Sequence, residues 1–191
     1  MDLAYAHYKE QEPALALAAI DRFMKLYPAH PNLDYMYYLK GLVNYNDDGG
    51  IFARFTGQDR AERDPKSARE AFLAFSELVK RFPDSKYSAD ATKKMGDLVK
   101  GLAENELYVA RHYMKRKAYV AAINRAQQVI KEFSSTEYVE ESLAIMVSGY
   151  DALGQTQLRD DAKRVLAKNY PNSRYLTQDW QPRDVPWYQF W

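Results

Sequence analysis

The sequence predicts an all-α protein, a right-handed solenoid of about four helical hairpins with one long extended helix. The first observation is a short motif that occurs four times, always with a lysine two residues before an aromatic side chain. The second is that the residues upstream of each copy repeat apolar positions at helical spacing. Repeats at intervals of a few tens of residues are typical of solenoids, in which each hairpin packs on its neighbours.

The repeated motif has the features of a helix end followed by a tight corner. A proline follows the aromatic residue in three of the four copies, and proline cannot continue a helix. The lysine would lie in the last helical turn, where a cation interacts favourably with the helix dipole. Ser85, Thr136 and Ser173 follow three of the corners and are predicted to cap the next segment. The four copies are Lys25-Leu26-Tyr27-Pro28, Lys80-Arg81-Phe82-Pro83, Lys131-Glu132-Phe133-Ser134 and Lys168-Asn169-Tyr170-Pro171.

Three helices are predicted over residues 1–46. Residues 1–10 are helix-like but do not resemble a polar capping repeat, so we expect that an N-terminal segment is missing. Pro13 is predicted to begin the second helix, because proline is tolerated in a first turn. The dipeptide Pro31-Asn32 opens the third helix, which is rich in tyrosine and extends over residues 33–46.

The spacing of the corners reveals an insertion after the third helix. The aromatic residues of successive corners are separated by 55, 51 and 37 residues. If 37 residues is the plain unit, the first interval contains an 18-residue insertion, which matches the stretch 47–64. Loops of this length inside compact units are usually functional or disordered. Phe52 and Phe55 favour a loop that docks back on the scaffold.

The second interval is predicted to contain the long helix. It is 14 residues longer than the plain unit, and no turn signal occurs between Ser88 and Lys117. Apolar residues continue there at spacings of three and four, so we expect one helix extended by roughly four turns. The remaining helices are predicted at 66–82, 119–133, 138–153 and 156–170.

The repeat pattern stops at residue 177, which predicts a repeat domain at 1–176 and a separate tail at 177–191. All three tryptophans of the chain lie in this tail, and Pro182 and Pro186 exclude a helix across it. Such an extended aromatic segment either packs on the last hairpin or binds a partner.

Composition excludes several classes of function. The formal net charge of +1 gives no argument for binding nucleic acid or an acidic membrane surface. The absence of cysteine excludes disulfides, thiolate metal sites and a cysteine nucleophile in this sequence. No apolar run is long enough to span a bilayer, and no signal peptide is recognisable.

No motif in the chain predicts catalysis, a metal or a cofactor. His7 and His112 occupy equivalent repeat positions, which favours a packing role over metal binding or acid–base chemistry. Phosphate-binding loops and the GxSxG motif of serine hydrolases do not occur. The mixed charges of Asp59, Arg60 and Arg63 fit either a solvated loop with local ion pairs or a loop that faces a partner.

Several stretches resemble a known family. The two-helix units are similar to tetratricopeptide repeats, and the resemblance to the BamD (ComL) family covers about residues 3–176. That family comprises tetratricopeptide lipoproteins of the outer-membrane β-barrel assembly machinery. The most specific match is the loop motif at 57–65. The stretches that carry the resemblance are 18–23, 30–35, 57–65, 90–93 and 120–125.

The resemblance implies a non-catalytic scaffold on the periplasmic face of the Gram-negative outer membrane, anchored there by an N-terminal lipid. It implies that C-terminal repeats dock the periplasmic domains of the barrel-forming subunit and that N-terminal repeats recognise unfolded barrel clients. By comparison with the family, we expect the signal peptide, the lipidated cysteine and a first repeat of roughly fifty residues to be missing here. The missing repeat would then affect the pocket that recognises clients and would leave the docking half intact.

The residues expected to contact partners follow from this resemblance. The last two repeats are the predicted docking region, the loop at 52–64 is predicted to contact a second lipoprotein or clients, and two tyrosines are predicted to face a groove. Candidate docking residues are Lys131, Glu132, Arg159 and Lys163; loop candidates are Phe52, Phe55, Asp59, Arg60 and Arg63; groove candidates are Tyr35 and Tyr38.

Two further hypotheses remain open at this point. The chain could be a periplasmic peptide-binding adaptor that acts outside the barrel-assembly complex, with basic residues aligned along one groove. The tail could also occupy a groove meant for clients, because barrel clients carry C-terminal signals that end on an aromatic residue. The tail residues concerned are Trp187, Phe190 and Trp191.

Overall fold

The computed structural model describes residues 1–47 and 65–181, and these residues form helices and turns without a β-strand. The helices are α1 (Asp2–Lys9), α2 (Pro13–Leu26), α3 (Leu33–Asp47), α4 (Pro65–Arg81), α5 (Ser88–Lys115), α6 (Tyr119–Glu132), α7 (Tyr138–Ala152) and α8 (Thr156–Asn169). A short 3₁₀ helix follows at Arg174–Leu176. The predicted all-α class and the long helix are therefore confirmed. The right-handed solenoid arrangement stays a prediction.

All four copies of the sequence motif form the same backbone turn. In each copy the aromatic residue donates its N–H to the carbonyl four residues earlier, as Phe82 does to Leu78 at 2.8 Å. The carbonyl of the aromatic residue then accepts from the residue three places later, as Phe82 does from Ser85 at 3.0 Å. These two bonds end one helix and reverse the chain toward the next.

The prediction for the capping residues is correct at one corner only. The Ser173 hydroxyl accepts from the Tyr175 N–H at 3.2 Å and caps the 3₁₀ helix. The Ser85 hydroxyl caps the turn at Tyr87, whereas α5 begins later, at Ser88. Thr136 does not cap α7, because its hydroxyl donates back to the carbonyl of Phe133 at 2.8 Å.

A second repeated turn, inside the hairpins, is absent from the sequence-based predictions. Gln11, Lys117 and Gly154 follow α1, α5 and α7 with φ angles of 59°, 59° and 69°. This left-handed conformation costs ordinary residues about 1–2 kcal/mol, whereas glycine adopts it freely. The turn escaped detection because three different residue types perform the same backbone role.

The chain divides into two compact units, Met1–Val99 and Lys100–Trp191. In the N-terminal unit, α1 packs on α2, α2 on α3, and α3 on α4. Its core includes Ile20, Met36, Leu39 and Phe75, which are almost completely buried. The ring of Phe75 lies against Gly41, where a side chain would leave no room for it.

In the C-terminal unit, α7 packs on both α6 and α8. The buried cluster of this unit includes Leu107 of α5, Val129 of α6 and Ile145 of α7. Trp180 belongs to the same cluster and is 6% exposed. The start of the predicted tail therefore packs against the helices of this unit.

Candidate functional site

A polar pocket of about 580 Å³ opens in the C-terminal unit, where the corner after α6 lies beside the corner after α8. The long helix α5 supplies one wall, the first turn of α7 supplies another, and the segment after α8 supplies the third. The lining residues are Glu104 and Arg111 of α5, Glu137, Tyr138, Glu140 and Glu141, and Asn172, Arg174 and Tyr175. The repeated corners thus create the pocket by ending two helices at the same place.

The pocket contains an ion pair between α5 and α7. Arg111 donates from Nε to Oε1 and from NH2 to Oε2 of Glu141, with both bonds 2.7 Å long. Trp180 donates from its indole N–H to Oε1 of the same carboxylate at 3.1 Å. Burial lowers the pKa of Arg111, but the two bonds to Glu141 outweigh this effect and raise it above its usual value. Arg111 therefore stays charged, and the two side chains hold each other in place.

Tyr138 and Tyr175 form the aromatic part of the wall. Burial and the nearby carboxylates of Glu104 and Glu137 raise the pKa of Tyr138. The guanidinium of Arg174 lies over the ring of Tyr175, 4.7 Å from its centroid, and also donates to its hydroxyl at 2.7 Å. The pocket therefore combines carboxylates with aromatic surfaces.

The pocket is suited to polar recognition of another molecule. Four glutamates and two arginines line it, so its formal charge is negative. The Arg111–Glu141 pair joins α5 to α7 at this pocket and holds the two helices together there. Groups held in this way bind by charge and shape complementarity.

The predicted docking residues lie near this pocket in sequence but do not line it. Lys131 and Glu132 are exposed in the last turn of α6, directly before the corner that forms one wall. Lys163 is exposed on α8. Arg159 is half-buried and bonded to Asp151 and Asp160, both at 2.8 Å. Their role in docking stays a prediction.

The predicted groove tyrosines lie within an aromatic cluster of the N-terminal unit. Tyr38 stacks on Tyr87 with ring centroids 4.7 Å apart, and its hydroxyl donates to Asp90 at 2.7 Å. Tyr35 packs on the same Tyr87 ring at 5.6 Å. These contacts join α3 to the corner before α5, and they give both tyrosines a structural role. Their role in a binding groove stays a prediction.

Tyr38 should make the free energy of unfolding decrease as the pH becomes alkaline. Burial and the hydrogen bond to Asp90 raise the pKa of Tyr38 above its usual value of about 10. Its contribution is therefore complete below that value and is lost as the pH rises through the folded-state pKa. We expect Tyr38→Phe to cost about 1.5 kcal/mol at pH 8 and to flatten the decline in stability as the pH rises above about 10. Urea unfolding at a series of pH values measures both effects.

Tyr5→Phe is the matched control, because Tyr5 is an exposed tyrosine of the same unit. An alkaline decline that is equally steep in the parent and in Tyr38→Phe would contradict the assignment to Tyr38.

The remaining predicted residues lie outside the described ranges. They are Phe52, Phe55, Asp59, Arg60 and Arg63 of the insertion, and Trp187, Phe190 and Trp191 of the tail.

Sequence reasoning missed the residues that form the pocket. Arg111 and Glu141 are separated by 30 positions, and only the packing of α5 on the start of α7 brings them together. A weak signal existed in the pair Glu140-Glu141, which places two carboxylates in the first turn of a helix. Trp180 was noticed as a tail residue, but its bond to Glu141 depends on the path of the chain after α8.

Comparison with known proteins identifies the family. The chain is 54% identical over all 191 residues to the outer membrane protein assembly factor BamD of Neisseria meningitidis serogroup A, and it covers 72% of that relative. This chain belongs to the BamD family. The BamD of Vibrio cholerae is 38% identical over 169 residues, which are 88% of this chain and 70% of that relative. The family model YfiO, described as an outer membrane lipoprotein, matches residues 1–166.

The comparisons confirm the family predicted from the sequence. Members of the BamD family are outer membrane protein assembly factors, and the family description associates them with the outer membrane. Among the residues that the structure describes, no helix is both long and apolar enough to cross a membrane.

Proposed function

We propose that this chain is a non-catalytic scaffold of the outer-membrane β-barrel assembly machinery. The observation that carries the proposal is the 54% identity, over the whole chain, to an outer membrane protein assembly factor. The fold supports it, because helical hairpins offer extended surfaces for protein partners. The polar pocket supports it too, since its fixed charges suit recognition of a partner.

In this proposal the C-terminal unit docks the periplasmic domains of the barrel-forming subunit. Lys131, Glu132 and Lys163 are exposed there and supply polar contacts at the rim of the interface. Rim charges of this kind influence the rate and the salt dependence of association more than the final affinity. The N-terminal unit and the loop at 52–64 are proposed to contact unfolded clients or other lipoproteins of the machinery.

The proposed location is the periplasmic face of the outer membrane. The family description as an outer membrane lipoprotein supports an N-terminal lipid anchor in the full-length protein. A lipid anchor would hold the repeats beside the membrane while both units stay accessible to partners.

Charge reversal at Lys131 tests the docking proposal. We expect Lys131→Glu to weaken binding of the barrel-forming subunit's periplasmic domains about fivefold, since a favourable rim contact becomes repulsive. Lys80→Glu is a matched control, because Lys80 has the same position in the last turn of α4. Biolayer interferometry at two salt concentrations measures both variants.

Equal affinities for Lys131→Glu and the parent would remove this face from the proposed interface. Binding of short peptides without any binding of the assembly subunit would instead favour the second candidate, a peptide-binding adaptor outside the complex.

A further inference from the structure

We propose that the pocket of the C-terminal unit is a socket for a basic side chain, arginine or lysine, presented by a protein partner. The inference rests on the proposed docking function and deepens it by naming a site and the chemistry of its occupant. Neither the predicted docking residues nor the comparisons identify this pocket.

The charge of the pocket favours a cation. Arg111 neutralises Glu141 through two bonds. Glu137 and Glu140 have no ion pair or hydrogen bond among the residues that the structure describes. Even with Arg174 counted, the carboxylates outnumber the guanidinium groups by two, four against two.

These carboxylates lie at the N-terminal end of a helix. Glu140 and Glu141 lie in the first turn of α7, and Glu137 immediately precedes that helix. The positive end of the helix dipole stabilises negative charge at this place.

The aromatic wall already accommodates a guanidinium group. Arg174, which is exposed, lies over the face of Tyr175 at 4.7 Å and donates to its hydroxyl. Stacking of a cation on an aromatic face contributes about 0.5–1 kcal/mol at an exposed site. Glu137 and Glu140 line the same pocket, so a second basic side chain can use their carboxylates.

The size and rigidity of the pocket fit such a role. A volume of about 580 Å³ lies within the range of about 300–1,000 Å³ that is usual for ligand pockets. The Arg111–Glu141–Trp180 bonds tie three segments of the unit together. An acidic ligand fits less well, because the guanidinium of Arg111 is already engaged in both bonds to Glu141.

The chemistry can be tested with a small probe, independently of any partner protein. We expect N-acetyl-arginine amide to shift the amide NMR signals of Tyr138, Glu140 and Tyr175 in a saturable way at millimolar concentration. N-acetyl-citrulline amide has the same shape without the charge and should leave these signals unchanged. Glu137→Gln/Glu140→Gln should abolish the arginine effect. Equal shifts with both probes, or shifts spread over the whole surface, would overturn the proposal.

The same double variant tests the role of the pocket in docking. We expect Glu137→Gln/Glu140→Gln to weaken binding of the barrel-forming subunit's periplasmic domains about tenfold. Glu70→Gln/Glu77→Gln makes the same change at two exposed glutamates of α4 and should leave the affinity within about twofold. A parent chain that does not bind these domains would refute the proposed function. If the parent binds no more tightly than the Glu137→Gln/Glu140→Gln variant, only the proposal that the pocket binds a basic side chain is refuted.

Discussion

Replacement of Gly41 by alanine is expected to destabilise the protein by about 2 kcal/mol. Gly41 lies on α3 where the ring of Phe75 crosses it, and an added Cβ would stand 2.7 Å from Cζ of that ring and closer still to two other ring atoms. Phe75 is fully buried, so the ring cannot move aside without separating α3 from α4. Urea unfolding followed by circular dichroism measures the change in the free energy of unfolding.

Gly96→Ala is the matched control, and its change in the free energy of unfolding should have the opposite sign. Gly96 lies within α5, is exposed, and has no heavy atom within 4 Å of the position of an added Cβ. Alanine is favoured over glycine inside a helix by about 1 kcal/mol, so we expect a small stabilisation. Stabilisation of both variants would contradict the close contact between α3 and α4.

Removal of Arg111 is expected to have the other large effect, a loss of about 3 kcal/mol in Arg111→Met. The variant leaves the carboxylate of Glu141, which is 8% exposed, without the guanidinium that neutralises it. An unpaired buried charge is costly, whereas a neutral pair of similar shape costs little. The partial exposure of Arg111 keeps the expected effect at the lower end of the usual range.

The double variant Arg111→Met/Glu141→Gln separates the charge effect from loss of packing. Glutamine retains an oxygen that accepts the indole N–H of Trp180. We expect it to recover most of the stability lost in Arg111→Met. A double variant as unstable as the single one would show that packing, rather than the buried charge, causes the loss. Thermal and urea unfolding of the parent and both variants provide the comparison.

The helices were predictable because the local sequence determines where they end. The aromatic residue and the proline of each corner determine where a helix stops, and the bonds of Phe82 show how the same turn recurs. The length of α5 followed from counting between corners, since an extension of a helix leaves no turn signal behind. The left-handed turn at Lys117 was not predictable, because lysine carries no preference for that conformation.

The pocket was not predictable for a different reason. Its central bonds join Arg111, Glu141 and Trp180, which lie on three segments far apart in sequence. Local patterns assign each of them a role within its own helix or tail, and only packing reveals that they meet. The predicted contacts at Lys131 and Lys163 relied on family resemblance, which locates a region of the chain more readily than single side chains.

The most direct test of the scaffold proposal is isothermal titration of the unmodified chain with the periplasmic domains of the barrel-forming subunit. BamD of Neisseria meningitidis serogroup A, 54% identical to this chain, is a suitable comparison in the same titration. The proposal predicts saturable binding at one site per chain, weakened by the Lys131→Glu substitution. Absence of binding by this chain, under conditions in which the Neisseria protein binds, would contradict it.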